Sequence, residues 1–329
     1  MSLKVLFIGG SGIISSACSQ IAVVRGMQLF VYNRGISRAM RPIPDGVNFI
    51  RGDLQHPQDL EFLLHEHKFD VVVNWIAYQP KDIVRDIDLF RGKVRQYIFI
   101  SSASVYQKPI RQLPITEETP LENPYWDYAQ AKIACERRLL QAHRDYNFPC
   151  TIVRPSHTYD KTLFPFRGGY TVLDRMKKGK EVIIHGDGTS IWVLTHHYDF
   201  AQGFVGLIGH ESAIGEAFHI TSDFLLTWNE IYQLVGEAAG VEVKPCFVPS
   251  NFIARHDPSW GASLLGDKSH SVIFDNSKIK EIVPGFRAKI PFSLGSKEVV
   301  DWHEEDISRQ SVDQAFSKMM DDLIEAYAS

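Results

Sequence analysis

The sequence predicts an α/β protein with a doubly wound parallel sheet and a smaller C-terminal α/β lobe. Three observations support this fold class. Short apolar runs alternate with longer amphipathic stretches through the first half of the chain, which is typical of parallel strands joined by helices. The first apolar run leads directly into a glycine-rich turn. Beyond residue 160 the pattern is less regular, and glycine, proline and aromatic residues become more frequent around 163–170.

The chain begins with a predicted strand, turn, helix and second strand. Lys4–Ile8 is a continuous apolar run, as expected for a strand buried on both faces. A helix is predicted at about 15–25, where Gly26 ends it, and 29–32 predicts the second strand. Because a helix crosses between the two strands, they are expected to be parallel with a right-handed connection.

The same alternation continues along the chain. Further strands are predicted at 47–50, 70–74, 96–100 and 150–154. Helices are predicted at 59–67 and 126–144, with a shorter one between the strands at 70–74 and 96–100. In the less regular half, helices are predicted at 170–178 and 228–239, and 217–220 reads as a strand that returns to the sheet.

Composition limits the classes of function. The 329 residues include 35 basic and 39 acidic side chains, a formal net charge of −4, which argues against a nucleic acid partner held by phosphate contacts. No apolar run is long enough to span a bilayer, so no membrane association is expected. The four cysteines are scattered and no secretory leader is evident, so reduced thiols and a cytoplasmic location are expected. The 13 histidines lack the spacing of metal ligands, and no metal site is expected.

The glycine-rich turn carries the first functional motif. Gly10-x-Gly12-x-x-Ser15 follows a predicted strand and opens a predicted helix, as a dinucleotide-binding fingerprint does. The glycines let backbone N–H groups approach a pyrophosphate, and the helix N-terminus adds partial positive charge. This context favours dinucleotide binding over a purely structural turn. We therefore expect residues 1–160 to form a dinucleotide-binding Rossmann domain, to which the chain returns near 186–221, and 161–329 to form a smaller substrate-binding lobe.

The end of the second strand bears on the identity of the cofactor. An acidic residue there often binds the ribose hydroxyls of NAD, but this chain has Asn33 and Arg34, with Arg38 nearby. Arginine can bind a 2′-phosphate through paired, charge-assisted hydrogen bonds. NADP is therefore favoured over NAD. The alternative is that both arginines are ordinary solvated surface residues.

Candidate catalytic residues lie on a predicted helix and after a predicted strand. Tyr128 and Lys132 are four residues apart, so they share one face of the helix. A neighbouring cation is expected to lower the pKa of a tyrosine and make it a proton acceptor near neutral pH. Ser102 follows the buried strand at 96–100, at the sheet edge where ligands bind in such folds, and can bond a substrate oxygen beside Tyr128. Taken alone, each motif also fits a solvated helix face or a capping serine.

Together these motifs resemble the extended short-chain dehydrogenase/reductases, the nucleotide-sugar epimerase/dehydratase family, over almost the whole chain. The resemblance rests on the order and spacing of Gly9-x-x-Gly12, Gly52-Asp53-Leu54, Ser101-Ser102-Ala103-Ser104-Val105-Tyr106, Tyr128-x-x-x-Lys132, Arg154-Pro155, Gly186-Asp187-Gly188 with Asp199 and Ala201, and Trp302.

The resemblance implies roles for particular residues. Tyr128 and Ser102 are expected to transfer the proton, while Lys132 holds the nicotinamide ribose and tunes Tyr128. Asp53 is expected to contact the adenine, Ala77 to lie along the cofactor and Pro155 to lie near the nicotinamide. The full expected set of NAD(P)-binding residues is Gly9, Gly12, Ile13, Ile14, Asn33, Arg34, Arg38, Asp53, Leu54, Ala77, Lys132 and Pro155. A homodimer is a further possibility that the resemblance suggests.

The chain departs from the family pattern where the substrate is bound. Trp192 stands in place of the arginine that usually grips the diphosphate of a nucleotide sugar, and His157 in place of a substrate-binding asparagine. A glycine is also replaced at Gln107 and at Asp160. The substrate is therefore expected to lack the usual diphosphate or to be held differently, for example by Arg167, Arg175 or Lys268. The expected substrate residues are Ser104, His157, Trp192 and Arg175.

Two functions follow from this pattern. The first is an NAD(P)-dependent epimerase/dehydratase-like oxidoreductase acting on a hydroxyl of a sugar or nucleotide-sugar-like small molecule. The second is a non-catalytic NAD(P)-binding sensor or scaffold on the same fold, since plastid RNA-associated relatives resemble this chain at Asn33-Arg34-Gly35. The Tyr128, Lys132 and Ser102 set favours the enzyme, whereas the missing arginine favours the binding protein.

Overall fold

A seven-stranded parallel sheet forms the centre of the computed structural model, which describes residues 2–36, 40–54 and 56–328. Its strands are β1 (Lys4–Ile8), β2 (Gln28–Asn33), β3 (Asn48–Arg51), β4 (Val71–Asn74), β5 (Gln96–Ile100), β6 (Cys150–Pro155) and β11 (Ala217–Ile220). Within these described ranges, three two-stranded sheets lie outside it. They are β7 (His157–Tyr159) with β10 (Leu194–His196), β8 (Val182–His185) with β13 (Pro245–Val248), and β9 (Ile191–Trp192) with β12 (Leu226–Thr227).

The order of the central strands is β3-β2-β1-β4-β5-β6-β11, and all neighbours are parallel. The direction of winding reverses between β1 and β4, which is where doubly wound sheets bind ligands at the carboxyl ends of their strands. The helices that accompany the strands are α1 (Ile13–Val24), α2 (Pro57–Glu66), α3 (Pro80–Phe90), α4 (Asp127–Tyr146), α5 (Tyr170–Lys177), α6 (His197–Leu207), α7 (Trp228–Ala238), α8 (Ser250–His256), α9 (Pro258–Ser263), α10 (Ser277–Ile282), α11 (Phe292–Glu304) and α12 (Gln314–Ala328).

The sheet is buried on both faces because side chains alternate along each strand. Val5 and Phe7 of β1 belong to the apolar cluster on the side of α1 and α6, whereas Leu6 and Ile8 belong to the cluster on the side of α2, α3 and α4. All four side chains are fully buried. This two-sided burial explains why the strand is a continuous apolar run and not an alternating one.

The predicted fold class is confirmed. The strand predicted at 96–100 has these bounds in the structure, and the predicted strand at 217–220 returns to the sheet as β11 beside β6. A third apolar cluster lies outside the sheet and includes Trp192, Trp228 and Tyr232. It also contains Tyr106 and Ile115, so the segment after β5 contributes to this cluster.

No helix within the described ranges has the length and apolar composition needed to cross a membrane.

Candidate active site

The turn between β1 and α1 requires glycine at two of its positions. Gly9 has φ +110° and Gly10 has φ +86°, a region that L side chains rarely adopt. A Cβ at Gly9 would lie 2.9 Å from Cβ of Trp75, and one at Gly10 would lie 3.0 Å from a methyl group of Val31. Side chains at these two positions would collide with their packed neighbours. The backbone of the two glycines lines an open groove above the turn.

The start of α1 faces this groove. Gly12 precedes the helix in an extended conformation, and its N–H donates to Oγ of Ser15 over 2.8 Å. Ile13 and Ile14 form the first turn, where backbone N–H groups have no acceptor within the helix. The positive end of the helix thus lies at the bottom of the groove, a suitable place for a phosphate.

A cleft of about 510 Å³, here called the main cleft, runs from this turn across the carboxyl ends of the central strands. It brings together most of the residues expected to bind the cofactor: Gly9, Gly12, Ile13, Ile14, Asn33, Arg34, Asp53, Leu54, Lys132 and Pro155. Ala77 is buried and is not among the residues that line the cleft, but its carbonyl accepts from Nζ of Lys132, which does line it. That Ala77 lies along the cofactor stays a prediction. Arg38 lies outside the described residues.

Asn33, at the end of β2, has a structural role that its sequence context does not show. Its Nδ2 donates to the carbonyl of Gly9 over 2.6 Å and to Oγ of Ser11 over 3.2 Å. Its Oδ1 accepts from the N–H of Gly35 over 2.7 Å. The side chain therefore ties β2 to the glycine turn, while the neighbouring Arg34 is exposed at the rim of the main cleft.

Lys132 reaches the main cleft from α4. Its Nζ donates to the carbonyl of Ala77 over 2.7 Å and to the carbonyl of Ile100 over 2.8 Å. The ammonium also lies 4.5 Å from the ring centroid of Tyr78. Burial lowers the pKa of Lys132 to about 8. With two of its three protons committed to backbone carbonyls, the ammonium has one N–H left for a ligand.

Tyr128 and Ser102 lie together at the end of the main cleft. Burial, aided by Tyr78, raises the pKa of Tyr128 to about 12, against a smaller lowering by the hydrogen bond from Ser102. The expectation that Lys132 lowers this pKa is therefore wrong for the protein without a ligand, where burial dominates. Ser102 accepts from both N–H and Oγ of Ser104, so its own proton is free to be donated to Tyr128.

A second cavity of about 260 Å³, here called the indole cavity, adjoins the main cleft. Trp126 and Trp192 both line it, together with Ser104, His157 and Lys268. The two spaces share a common wall, whose residues are Ser102, Tyr128, Pro155, Ser156 and His157. A molecule in the indole cavity would therefore meet a molecule in the main cleft at Tyr128 and Ser102.

His157, one of the wall residues, is held as a neutral base. Its Nδ1 accepts a hydrogen bond from Nε1 of Trp192 over 3.1 Å. Burial, with the positive charge of Lys268 nearby, lowers the pKa of His157 to about 3. Three of the four residues expected to bind the substrate (Ser104, His157 and Trp192) thus line the indole cavity.

Arg175, the fourth expected substrate residue, lines neither cavity. It is 1% exposed and donates to the carbonyl of Glu181, to Ser317 and to Oδ1 of Asp321. The expectation for Arg175 is therefore wrong, because its guanidinium is fully used in tying α5 to α12. Arg167 also lines neither cavity, and it pairs with Asp257 at 2.8 Å.

Several lining residues escaped the motif analysis. Tyr78 follows Ala77 shortly after β4, so its place at the sheet edge was an available signal. Trp126 lies two residues before Tyr128, so its sequence position could also have predicted a place at the site. Asp267 and Phe274 belong to the last third of the chain, and only tertiary folding brings them to the indole cavity.

The residues of the main cleft fit a nicotinamide dinucleotide. Besides the glycine groove and the positive helix end, the cleft contains two residues with unsatisfied buried polar atoms, Oγ of Ser101 and Nε1 of Trp75. Buried polar atoms without partners are rare in native proteins and indicate a missing ligand or water. Across the described residues, no three His, Cys, Asp or Glu side chains converge as a metal ion would require.

Comparison with known proteins agrees with this geometry. The family model described as "NAD dependent epimerase/dehydratase family" matches residues 5–221. The chain is 25% identical to the 2′-dehydrokanamycin reductase of Streptomyces kanamyceticus, over 88% of this chain and 81% of that protein. It is 26% identical to the chloroplast stem-loop binding protein of 41 kDa b of Arabidopsis thaliana, over 72% of this chain and 63% of that protein, less than two thirds of its length.

A solved structure of dTDP-glucose 4,6-dehydratase from Bacillus anthracis in complex with NAD has the same fold. Its TM-score is 0.72 at 18% identity, and the match covers 93% of this chain and 98% of the other. With the family model matching most of the chain, the extended short-chain resemblance is confirmed. The chain therefore belongs to the NAD-dependent epimerase/dehydratase family, a group of extended short-chain enzymes that use a nicotinamide cofactor.

Proposed function

We propose that this protein catalyses NAD(P)-dependent oxidoreduction at a hydroxyl of a sugar or nucleotide-sugar-like substrate. The observation that carries this proposal is the shared wall of the two cavities, where Tyr128 and Ser102 face both spaces. A substrate hydroxyl in the indole cavity would lie beside the groups that move its proton. The family supports oxidoreduction, and relatives named as a 2′-dehydrokanamycin reductase and a dTDP-D-glucose 4,6-dehydratase support a sugar-type substrate.

In this mechanism the bound dinucleotide supplies the hydride acceptor or donor. Tyr128 takes the proton of the substrate hydroxyl during oxidation and returns it during reduction. Because the pKa of Tyr128 is about 12 without ligands, the phenol is protonated near neutral pH, and the resting site is ready to donate a proton to a carbonyl. Ser102 donates to the phenolic oxygen and so stabilises the phenolate that forms when the proton leaves.

Lys132 has two roles in this scheme. Its ammonium lies 5.8 Å from the ring centroid of Tyr128, close enough to stabilise the phenolate electrostatically. The N–H not used by the two backbone carbonyls is available for a ribose hydroxyl. Return of the hydride to the opposite face of the same intermediate would give epimerisation, and release of the intermediate would give simple oxidation.

The choice of cofactor is part of the proposal. No carboxylate follows β2, Asn33 is used within the glycine turn, and the exposed Arg34 lies at the rim of the main cleft. This arrangement supports NADP over NAD, because an arginine can pair with a 2′-phosphate. Calorimetric titration is expected to show tighter binding of NADP and a loss of this preference in Arg34→Ala. Equal or tighter binding of NAD by the wild-type protein would refute it.

The catalytic proposal is tested by substituting Tyr128. We expect Tyr128→Phe to reduce turnover of a sugar or nucleotide-sugar panel by about 10²- to 10⁴-fold, as loss of a general acid–base does, with dinucleotide binding retained. Tyr146→Phe is the matched control, because Tyr146 is on the same helix but is exposed and lines neither cavity. Turnover by Tyr128→Phe at the wild-type rate would remove the proposal.

The alternative function is a non-catalytic dinucleotide-dependent sensor or scaffold. The specific observation in its favour is the match to the chloroplast stem-loop binding protein, which is 26% identical over 72% of this chain, compared with 25% over 88% for the reductase. Tight binding of a dinucleotide together with no turnover of any panel member, and retention of a stem-loop RNA on a filter, would favour this alternative. A homodimer also stays a proposal, and light scattering on the purified protein tests it.

A further inference from the structure

The connection between β2 and β3 (residues 34–47) borders the main cleft at its beginning. Residues 34–36 line the cleft beside the glycine turn. The side chain of Asn33 fixes this part of the connection, because it bonds both the carbonyl of Gly9 and the N–H of Gly35. Whatever part of a dinucleotide lies against residues 34–36 therefore depends on how the connection is held.

Arg41 fixes the same connection at a second point. Its Nε donates to Oδ2 of Asp160 over 2.6 Å and its Nη2 to Oδ1 over 3.3 Å, the paired geometry of a guanidinium and a carboxylate. Nη2 also donates to Oγ1 of Thr162. The side chains of Arg41 and Asp160 are 11% and 3% exposed, whereas those of Ile36 and Met40 are largely exposed. The ion pair is therefore a buried attachment point in a connection with exposed neighbours.

Asp160 is a firmly held anchor for this attachment. It directly follows β7, in which Tyr159 is fully buried and packs edge-on against Phe292. Its Oδ1 accepts from the N–H and from Oγ1 of Thr162, over 2.9 and 2.7 Å, so the carboxylate is oriented by its own turn. The same strand begins with His157, a residue of the wall between the two cavities. The ion pair thus joins the cofactor side of the main cleft to the strand that carries part of this wall.

Stability alone is a weak explanation for this ion pair. Taking two charges out of water is costly, and well-packed apolar residues often stabilise a protein at least as well as a buried ion pair does. What the pair provides beyond stability is geometry, because the two parallel hydrogen bonds fix direction as well as distance. Its location between the β2–β3 connection and β7 indicates which part of the molecule this geometry serves.

We infer that Arg41 and Asp160 are positioning residues for the dinucleotide, because their ion pair holds the β2–β3 connection where it receives the adenosine half of the cofactor. With the connection fixed at Asn33 and at Arg41, binding of the cofactor has less conformational entropy to remove from this part of the protein. The inference rests on the proposed function only in placing the adenosine half beside Arg34. The attachment itself rests on the contacts of the two side chains.

The test measures binding of the whole dinucleotide and of its two halves. Calorimetry follows NADP, and competition with NADP follows 2′,5′-ADP and 5′-AMP for the adenosine half and NMN for the nicotinamide half. The main variant combines Arg41→Met with Asp160→Asn, which leaves no charge enclosed, so it is expected to fold. We expect the Kd of NADP and of both adenosine probes to rise by about tenfold, as the cost of ordering one or two side chains predicts. The Kd of NMN should stay unchanged.

Two further variants separate positioning from general stability. Arg41→Lys keeps the charge without the paired donors, so its Kd for NADP should lie between those of the wild-type protein and the double variant. Arg175→Ala is the matched control, because it removes a buried arginine that pairs with Asp321 and lines neither cavity. Binding of NADP by Arg175→Ala is expected to equal that of the wild-type protein.

The outcomes distinguish this inference from the proposed function. An unchanged Kd of NADP in the double variant, or equal weakening of NMN and the adenosine probes, would overturn the inference. Turnover by Tyr128→Phe at the wild-type rate would remove the proposed mechanism and leave the positioning role intact, because the test involves no catalysis. Tighter binding of NAD than of NADP would remove only the cofactor preference, since 5′-AMP reports the adenosine half without a 2′-phosphate.

Discussion

Nε1 of Trp192 donates a hydrogen bond of 3.1 Å to Nδ1 of His157. An indole N–H can only donate, so Nδ1 must be the acceptor and the imidazole proton must be on Nε2. The first prediction is that His157 stays in this neutral form from pH 8 down to about pH 4, because burial lowers its pKa to about 3. Nitrogen-15 NMR of the labelled imidazole checks this, and a titration midpoint near 6.5 would contradict it.

The second prediction concerns acid stability. Burial lowers the pKa of His157 to about 3 and those of His185 and His197 to about 4. Below the unfolded pKa of 6.5 the unfolded chain therefore binds protons that the folded protein does not, so stability falls as the pH falls from about 6.5 to 4. Each histidine contributes up to about 1.4 kcal/mol per pH unit in this window. Urea denaturation at a series of pH values measures the slope.

A double variant isolates the histidine contribution to this slope. His157→Gln with His185→Gln removes two of the three histidines whose pKa values are about 3 to 4, so the slope between pH 6.5 and 4 is expected to decrease. His65→Gln is the matched control, because the His65 side chain is 87% exposed. An equal slope in the double variant and in the wild-type protein would assign the acid sensitivity to other groups.

Local sequence patterns predict the features that depend on residues close together in the sequence. The continuous apolar run in β1 follows from burial on both faces, and the shared helix face of Tyr128 and Lys132 follows from a spacing of four residues. The predicted direction for the pKa of Tyr128 is wrong because burial, which the sequence does not state, is the largest influence on it and raises it. Arg175 was misassigned because a sequence does not distinguish a surface arginine from one buried between helices.

The third prediction is a fall in activity at alkaline pH. Burial lowers the pKa of Lys132 to about 8, so its ammonium is charged below that pH and loses its charge above it. Because the proposed phenolate of Tyr128 depends on this charge, kcat/KM is expected to fall as the pH rises through about 8. Arginine stays charged throughout this pH range. Lys132→Arg should therefore reduce the alkaline fall in kcat/KM, whatever its effect on the maximum rate. An unchanged alkaline limb in Lys132→Arg would contradict the assignment.

The fourth prediction concerns the ion pair between Arg41 and Asp160. The Nε–Oδ2 distance is 2.6 Å, and the two side chains are 11% and 3% exposed. Burial alone would raise the pKa of Asp160, but hydrogen bonds from Arg41 and Thr162 lower it. Asp160→Ala leaves the Arg41 cation enclosed without its partner and is expected to reduce the free energy of unfolding by about 3–5 kcal/mol. Chemical denaturation measures the change.

The control for the Arg41–Asp160 ion pair is an ion pair on the surface. Asp322→Ala breaks the pair with Lys318, whose two side chains are largely exposed, and no measurable change in stability is expected. A loss of similar size in the two variants would show that the burial of Arg41 and Asp160 is not what makes their pair important.

The fifth prediction separates structure from substrate binding at Arg175. Its guanidinium joins the carbonyl of Glu181 to Ser317 and Asp321, so Arg175→Ala leaves the two backbone carbonyls of Glu181 and Ser317 without this donor and is expected to lower the free energy of unfolding by about 1–3 kcal/mol. Arg175→Lys should recover only part of this, because an ammonium cannot reproduce the planar set of donors. In the folded variant the KM for substrate should be unchanged, since Arg175 lines neither cavity. A raised KM with normal stability would restore Arg175 to the substrate site, whereas Lys180→Ala controls for loss of a neighbouring cation that also bonds Asp321.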